Sequence, residues 1–255
     1  MKLYSRTTLI TLALSLAVGA AGCSKDPTKD VPAAKVEEPK KEEPKAEPVA
    51  AAEAASPVAA PAAASPVAAA EAATPAAAAA LTFPGVALTG SIQAVGSKVT
   101  GAHTLNFKEW KGAVELKDGK PEGGKLEFEI QVGSLEEVVE KRSEWVDKFE
   151  GHMKSEDFFD VGKFATATFV ASEIKAGGDA AVAGSTHTIK GNLTLRGTTK
   201  EVTFAATVAV AGKDVSAKSE FKINRKDFGI VYAGKADDLI RDDVAIKIDV
   251  KATLP

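Results

Sequence analysis

The stretch Lys125-Leu126-Glu127-Phe128-Glu129-Ile130-Gln131-Val132 alternates polar and apolar residues at every step. Val244, Ile246, Ile248 and Val250 repeat the pattern against Ala245, Lys247, Asp249 and Lys251. Successive side chains of an extended strand point to opposite faces, so a period of two builds one apolar face and one wet face. That is the pattern of an antiparallel sheet with one side on a core. It recurs at Ile189, Leu193 and Leu195, at Val202, Phe204, Ala206, Val208 and Val210, and at Val215, Ala217, Phe221 and Ile223. Eight strands are predicted, near 90–100, 102–117, 124–132, 164–174, 185–196, 200–211, 213–224 and 242–253. Turn signals separate several of them, among them Lys117-Asp118-Gly119-Lys120, Arg196-Gly197 and Gly212-Lys213-Asp214.

One segment breaks the rhythm. Leu135, Val138, Val139, Trp145, Val146 and Phe149 fall mostly at helical spacing, which predicts one helix or two short ones across 134–151. Ser134 with Glu137 three residues on resembles a capping box. The expected fold class is therefore all-β: an eight-stranded antiparallel up-and-down barrel with a short helical insertion. Closure removes the exposed edges of an open sheet. Eight staves leave an interior for packed side chains or for one small ligand. The inward face is aliphatic and Phe-rich with many small Ala and Gly residues, which favours a cavity, while a filled core fits the same alternation.

Composition divides the 255 residues. Nine of the 12 prolines precede residue 81, whereas all 11 phenylalanines and both tryptophans follow it. Residues 1–80 thus lack the means to build a core, and the remainder suits one ordinary domain. Three regions are expected: 1–22, 23–85 and 86–255. Met1–Arg6 carries Lys2 and Arg6 ahead of an uncharged run from Thr7 to Val18, which ends in small residues, as in an export signal. Ala20-Ala21-Gly22-Cys23 resembles a bacterial lipobox, with Ala where Leu is usual at its first position. Cys23 is the chain's single cysteine. The resemblance implies acylation of Cys23 and membrane attachment, with acyl chains contributing about 0.8 kcal/mol per buried CH₂. Ser24 fits sorting to the outer membrane, so the expected location is the cell envelope, facing the periplasm. Residues 23–85 then read as a disordered Ala/Pro/Glu/Lys-rich linker, spanning roughly 40–50 Å as a flexible coil.

Charge and motif content exclude several function classes. From residue 81 onward there are 24 Lys+Arg and 26 Asp+Glu, a near balance that lacks the basic footprint of a nucleic-acid binder. A single cysteine allows no intrachain disulfide and no Cys-x-x-Cys motif. His103, His152 and His187 have no metal-ligand spacing, and no nucleophile elbow or phosphate-cradling loop is present. Asp237, Asp238, Asp242 and Asp243 surround Arg241, which reads as a solvated loop before it reads as a calcium site. No catalytic residue, metal or cofactor is assigned. An enzyme acting on a lipid headgroup or quinone, with His103 or His187 as acid–base, is the least favoured reading.

Four stretches go beyond composition. They are Gly96–His103, the segment His152-Met153-Lys154-Ser155-Glu156-Asp157-Phe158-Phe159-Asp160-Val161, Gly191–Lys200, and Asn224-Arg225-Lys226-Asp227-Phe228-Gly229-Ile230. In this order they resemble the YceI-like family of bacterial polyisoprenoid-binding proteins, over about residues 89–254. Thr198-Thr199-Lys200 and Phe164-Ala165 depart mildly from the family's usual residues. The resemblance implies a lipocalin-like barrel whose elongated apolar cavity holds an isoprenoid chain, such as a quinone tail or polyprenyl lipid. The cavity residues expected from alternation are Phe107, Phe128, Ile130, Phe169, Ile189, Leu193, Phe204, Phe221 and Ile246. His187 joins them by its phase with Ile189, and Phe158 and Phe159 through the motif, where they line the mouth or pin the helix. Arg225 and Asp227 are expected to pair and fix a turn, and Gly229 to serve backbone geometry. The leading expectation is a membrane-anchored carrier or store for an isoprenoid-like amphiphile. The alternative is a non-catalytic interaction module with a filled barrel.

Overall fold

The computed structural model describes residues 26–39 and 84–255. Cys23, the export signal and most of the Ala/Pro-rich segment lie outside the described residues. The strands are β1 (Lys35–Glu37), β2 (Val86–Ala87), β3 (Thr89–Lys98), β4 (Gly101–Phe107), β5 (Trp110–Lys117), β6 (Lys120–Gln131) and β7 (Leu135–Glu137). After helix α1 (Glu144–Lys154) come β8 (Thr166–Ala176), β9 (His187–Leu195), β10 (Thr198–Ala211), β11 (Asp214–Asn224), β12 (Gly234–Lys235), β13 (Asp238–Leu239) and β14 (Asp243–Thr253).

Eight staves emerge when collinear pieces are joined: β2 with β3, β4 with β5, and β6 with β7. All ladders among them are antiparallel, in the order β2-β5-β6-β8-β9-β10-β11-β14-β3-β4-β7. The first stave meets the second twice, β3 on β4 and β2 on β5. The second meets the third twice, β4 on β7 and β5 on β6. β14 pairs with β3, which brings the last stave back to the first and curls the sheet into a lipocalin-like barrel. The hairpins follow the turn chemistry of the sequence. Arg196 and Gly197 have φ of 50° and 71°, and Asp118 and Gly119 have 52° and 74°. Two consecutive positive φ values are what a two-residue turn needs to match the twist of its flanking strands.

The apolar side of each stave points inward. Phe107, Phe128, Phe169, Phe204, Phe221, Ile189 and Ile223 join one buried cluster with Leu105, Leu126 and Val202. Phe204 and Phe221 stack with ring centroids 4.2 Å apart, and Phe169 tilts against Phe204 at 5.6 Å. The outer face is not uniformly wet, since Glu127 and Glu129, expected in water, are buried.

Three features differ from the sequence reading. The second predicted strand is broken at Lys108-Glu109, where Lys108 N–H donates to Ser134 O and Glu109 N–H to Ser134 Oγ. The segment predicted to begin a helix at 134 instead continues as β7, with Leu135 fully buried against Phe107. The capping box does not form: Ser134 Oγ bonds Gln131 O at 2.7 Å, and the residue preceding α1 is Ser143. Tertiary pairing of β7 on β4 overrides the local helical spacing, and Val138 and Val139 are left in an exposed connection.

The third difference lies in the segment expected to be linker. The β10–β11 ladder runs only from Thr207–Lys218 to Ala211–Asp214. Beyond it the two strands part, and residues 32–37 enter the gap. Ala34 N–H donates to Lys222 O and Lys222 N–H to Pro32 O, both at 2.9 Å. On the other side Lys35–Glu37 pairs with Glu201–Thr203 of β10. Ala34 and Val36 pack on the barrel core, so this strap supplies a piece of wall. Its start is fixed by Asp26, whose carboxylate accepts from Thr28 N–H, Thr28 Oγ1 and Ser97 Oγ and pairs with Arg241. A three-residue strand in Lys/Glu/Pro-rich sequence carries no readable period.

Candidate functional site

Three apolar chambers lie in series inside the barrel. The mouth chamber, about 270 Å³, lies between α1, the β3–β4 end and the 230–240 segment. The middle chamber, about 130 Å³, has an entirely apolar lining surface. A third pocket of about 50 Å³ continues toward Leu88, Leu116 and Val215. Ala94, Phe159, Arg225, Ile230 and Val244 border both mouth and middle chambers. Phe128, Phe204 and Ile248 border both the middle and the third. The partitions are therefore a few side chains rather than backbone.

The sequence-expected residues fall as follows. Phe107, Phe128, Ile130, Phe169, Leu193, Phe204, Phe221 and Ile246 line the middle chamber, and Ile189 lines the third. Phe158 lines the mouth, and Phe159 lies between mouth and middle. Phe158 also packs on His152 and Tyr232, and Phe159 meets Phe107 edge-on at 6.3 Å. His187 is the exception. It is buried, as its phase requires, but lines none of the three chambers. Its Nδ1 is 2.8 Å from Thr186 Oγ1, and it sits between Ala176 at the end of β8 and Ala206 of β10. Its Nε2, 3.5 Å from Glu122, is buried without a hydrogen-bond partner.

Sequence reasoning missed part of the mouth, because Trp145, Phe149 and the 230–240 segment lie outside the strand periodicity. His103 stacks near Phe149, with ring centroids 4.5 Å apart, and Trp145 lies parallel to Phe149 at 5.4 Å. His103 Nδ1 is 2.5 Å from Glu137 Oε1. A carboxylate only accepts, so Nδ1 carries the proton of this bond and Nε2 is the ring nitrogen left toward the mouth. Glu137 is placed by its backbone N–H, which donates to Glu150 Oε1 at 2.7 Å. Arg142 bonds both oxygens of Glu150. That guanidinium holds the buried Glu150 carboxyl below the usual carboxylate range, against the opposing effect of burial. Lys98 and Asp238 form the other polar edge of the mouth, 2.5 Å apart, and Lys98 holds the Asp238 carboxyl below its usual range.

Arg225 is the charged member of the partition. It is nearly fully buried and donates to Ile230 O at 2.7 Å, Arg241 O at 3.0 Å and Asp242 Oδ1 at 3.2 Å. Burial lowers its pKa and Asp242 opposes that. Its expected partner was Asp227, which is exposed; Asp242 takes that place because Arg225 turns inward from a 3-10 turn over residues 225–228. Gly229, expected to serve backbone geometry, closes this turn in the left-handed region at φ 74°. Three of the four aspartates around Arg241 pair with cations, Asp238 with Lys98, Asp242 with Arg225 and Lys226, and Asp243 with Lys222, while Asp237 is exposed. Among the described residues, no group of three His, Cys, Asp or Glu is placed to hold a metal ion.

A curled antiparallel barrel with an apolar bore and one polar mouth defines the lipocalin-like class of barrels. Within that class, the YceI-like domain model matches residues 76–252, and the chain belongs to the YceI-like family. It is 32% identical over 147 residues to a UPF0312 protein of Pseudomonas fluorescens strain SBW25, covering 55% of this chain and 70% of that one. It is 35% identical over 132 residues to a UPF0312 protein of Pseudomonas fluorescens strain Pf-5, covering 49% and 63%. The crystal structure of Burkholderia cenocepacia BcnA superposes with a TM-score of 0.52 at 24% identity, covering 64% of this chain and 96% of that one, which shows the shared fold.

Proposed function

We propose that this protein binds an isoprenoid-like amphiphile in the barrel and carries or stores it in the cell envelope, anchored through an acylated Cys23. The observation that supports this most is the run of chambers. An apolar void of about 130 Å³ inside a packed barrel, at about 24 cal/mol per Å³, costs the fold roughly 3 kcal/mol when empty. A ligand tail that fills it recovers that cost and removes its own apolar surface from water, at about 25 cal/mol per Å². Series geometry favours a long flexible chain over a compact ring system. The mouth offers Lys98, Asp238 and His103 to a polar headgroup, which is the arrangement of a pocket that orients its ligand by a few polar contacts. The same groups provide no nucleophile–base pair, so we read a binding protein and no reaction. Direct measurement is by native mass spectrometry of the protein purified from its host, with mass analysis of its organic extract. A stoichiometric isoprenoid is expected. A clean apo-protein that also takes up no added polyprenyl quinone or polyprenyl lipid would overturn the proposal.

A further inference from the structure

We infer that the barrel docks mouth-down on the bilayer, its apolar rim in contact with lipid, so that ligand passes between membrane and bore without crossing water. The inference rests on the anchored-carrier reading above.

Two independent observations carry it. The first is the placement of exposed apolar side chains. Val231 is 64% exposed, Val138 55%, Trp145 54% and Leu239 50%, and all four border the mouth end. Trp145 lines the mouth chamber and packs on His103. Leu239 O accepts from the β3–β4 turn at Val99, Val138 N–H donates to Thr104 O of β4, and Val231 adjoins Tyr232 of the chamber wall. A cluster of this kind on one rim marks an interaction surface, and an exposed Trp beside aliphatic residues suits the headgroup–acyl boundary.

The second observation says what covers that rim. Asp26 is pinned at the mouth, bonded to Ser97, which lines the chamber, and to Arg241, whose N–H donates to Ser97 O. Cys23 precedes Asp26 by three residues, a reach of about 10 Å at full extension. An acyl group on Cys23 therefore enters the bilayer next to the mouth. Most of the expected Ala/Pro-rich linker, residues 40–83, lies outside the described residues; β1 and β2, which flank it in sequence, both pair with barrel strands. Lys98 pairs with Asp238 and Arg241 with Asp26, and Lys235 is the exposed cation of the chamber lining, so docking on zwitterionic phosphatidylcholine rests on the apolar rim.

The test uses the full chain expressed with its own leader and reconstituted into phosphatidylcholine vesicles. Acylation of Cys23 is read by mass spectrometry, and an acylated Cys23 leaves an engineered cysteine as the sole thiol for an environment-sensitive fluorophore. Label at Val138→Cys should be quenched by nitroxide lipids several-fold more than label at Lys213→Cys, on the exposed turn at the far end. The double variant V231D/L239D should abolish that difference while Cys23 still holds the chain on the vesicle. Equal quenching at both ends of an acylated protein overturns the docking inference and leaves the anchor standing. An unmodified Cys23 overturns anchor and docking together.

Discussion

Replacing Ala167 with Leu separates a hollow barrel from a filled one by the sign of its effect. Ala167 is buried on β8 opposite Ile130, and its side chain borders the middle chamber. Leu adds three carbons to a site with about 130 Å³ of free volume beside it. At about 0.8 kcal/mol per buried CH₂ the gain reaches about 2.4 kcal/mol, reduced by about 0.5–1 kcal/mol of lost side-chain freedom. We therefore expect the delipidated A167L protein to be about 1.5 kcal/mol more stable than the parent. Urea unfolding of the full chain should show a higher midpoint at unchanged slope. The same three carbons occupy ligand space, so affinity for a polyprenyl quinone should fall by roughly 10–50-fold, the equivalent of about 1.4–2.3 kcal/mol. In a filled core the substitution overpacks and destabilises by about 1–3 kcal/mol. A lowered midpoint would refute the reasoning from the chamber and return the barrel to the interaction-module reading.

Three other outcomes are expected. Gly191→Ala should destabilise by about 1–3 kcal/mol in the same assay, because a Cβ there would lie 2.5 Å from Val170 O and 2.6 Å from the Phe169 ring, a wall of the middle chamber. Val36→Asp should detach the strap: Val36 is half-buried, so the fold loses about half of the roughly 1.5–3 kcal/mol of full aliphatic burial, and trypsin should cut after Lys35, protected in the parent by pairing with β10. The Glu150 carboxyl, depressed by Arg142, stabilises the folded state fully above the ordinary glutamate range and loses that contribution as pH falls through its lowered pKa. Stability differences between the parent and Glu150→Gln, followed by urea midpoints from pH 7 to pH 3, should therefore shrink toward acid; a difference that grows below pH 4 would contradict the Arg142 assignment.

The eight staves were legible because each carries an apolar face and a polar one in strict alternation, even on β6, where Glu127 and Glu129 of the polar face are also buried. Phe128 against Glu127, or Ile246 against Lys247, is a signal that needs no tertiary knowledge, and hairpins such as Arg196-Gly197 announce themselves through the φ values they require. The strap was not legible, since Ala34 and Val36 are two inward residues in a segment whose composition is that of a solvated linker. The helix start failed for the opposite reason. Val138 and Val139 extended an apparent helical period, although Leu135 had already been claimed by pairing with Phe107. Arg225 shows a third kind of limit: its nearest acid in sequence, Asp227, is two residues away, whereas Asp242 reaches it only because β11 and β14 pair from Asn224–Asp243 onward.

Alternation says which side chains face the bore and nothing about whether they meet across it. That depends on residue size at each level of the barrel. Near the partition between mouth and middle, β3 presents Ala94 and β8 presents Ala167 where neighbouring levels carry Phe107, Phe128 and Phe169. Small residues on two staves leave space that phenylalanines on the others do not span. The one charged group at this level, Arg225, is consumed by carbonyls and Asp242 at its rear, so its guanidinium closes the wall without wetting the chamber. A bore that is apolar along its length and polar only at the mouth favours a ligand with one polar end, entering tail first. In the proposed binding mode the tail would reach Phe128 and Phe204 and the headgroup would stay beside His103 and Lys98.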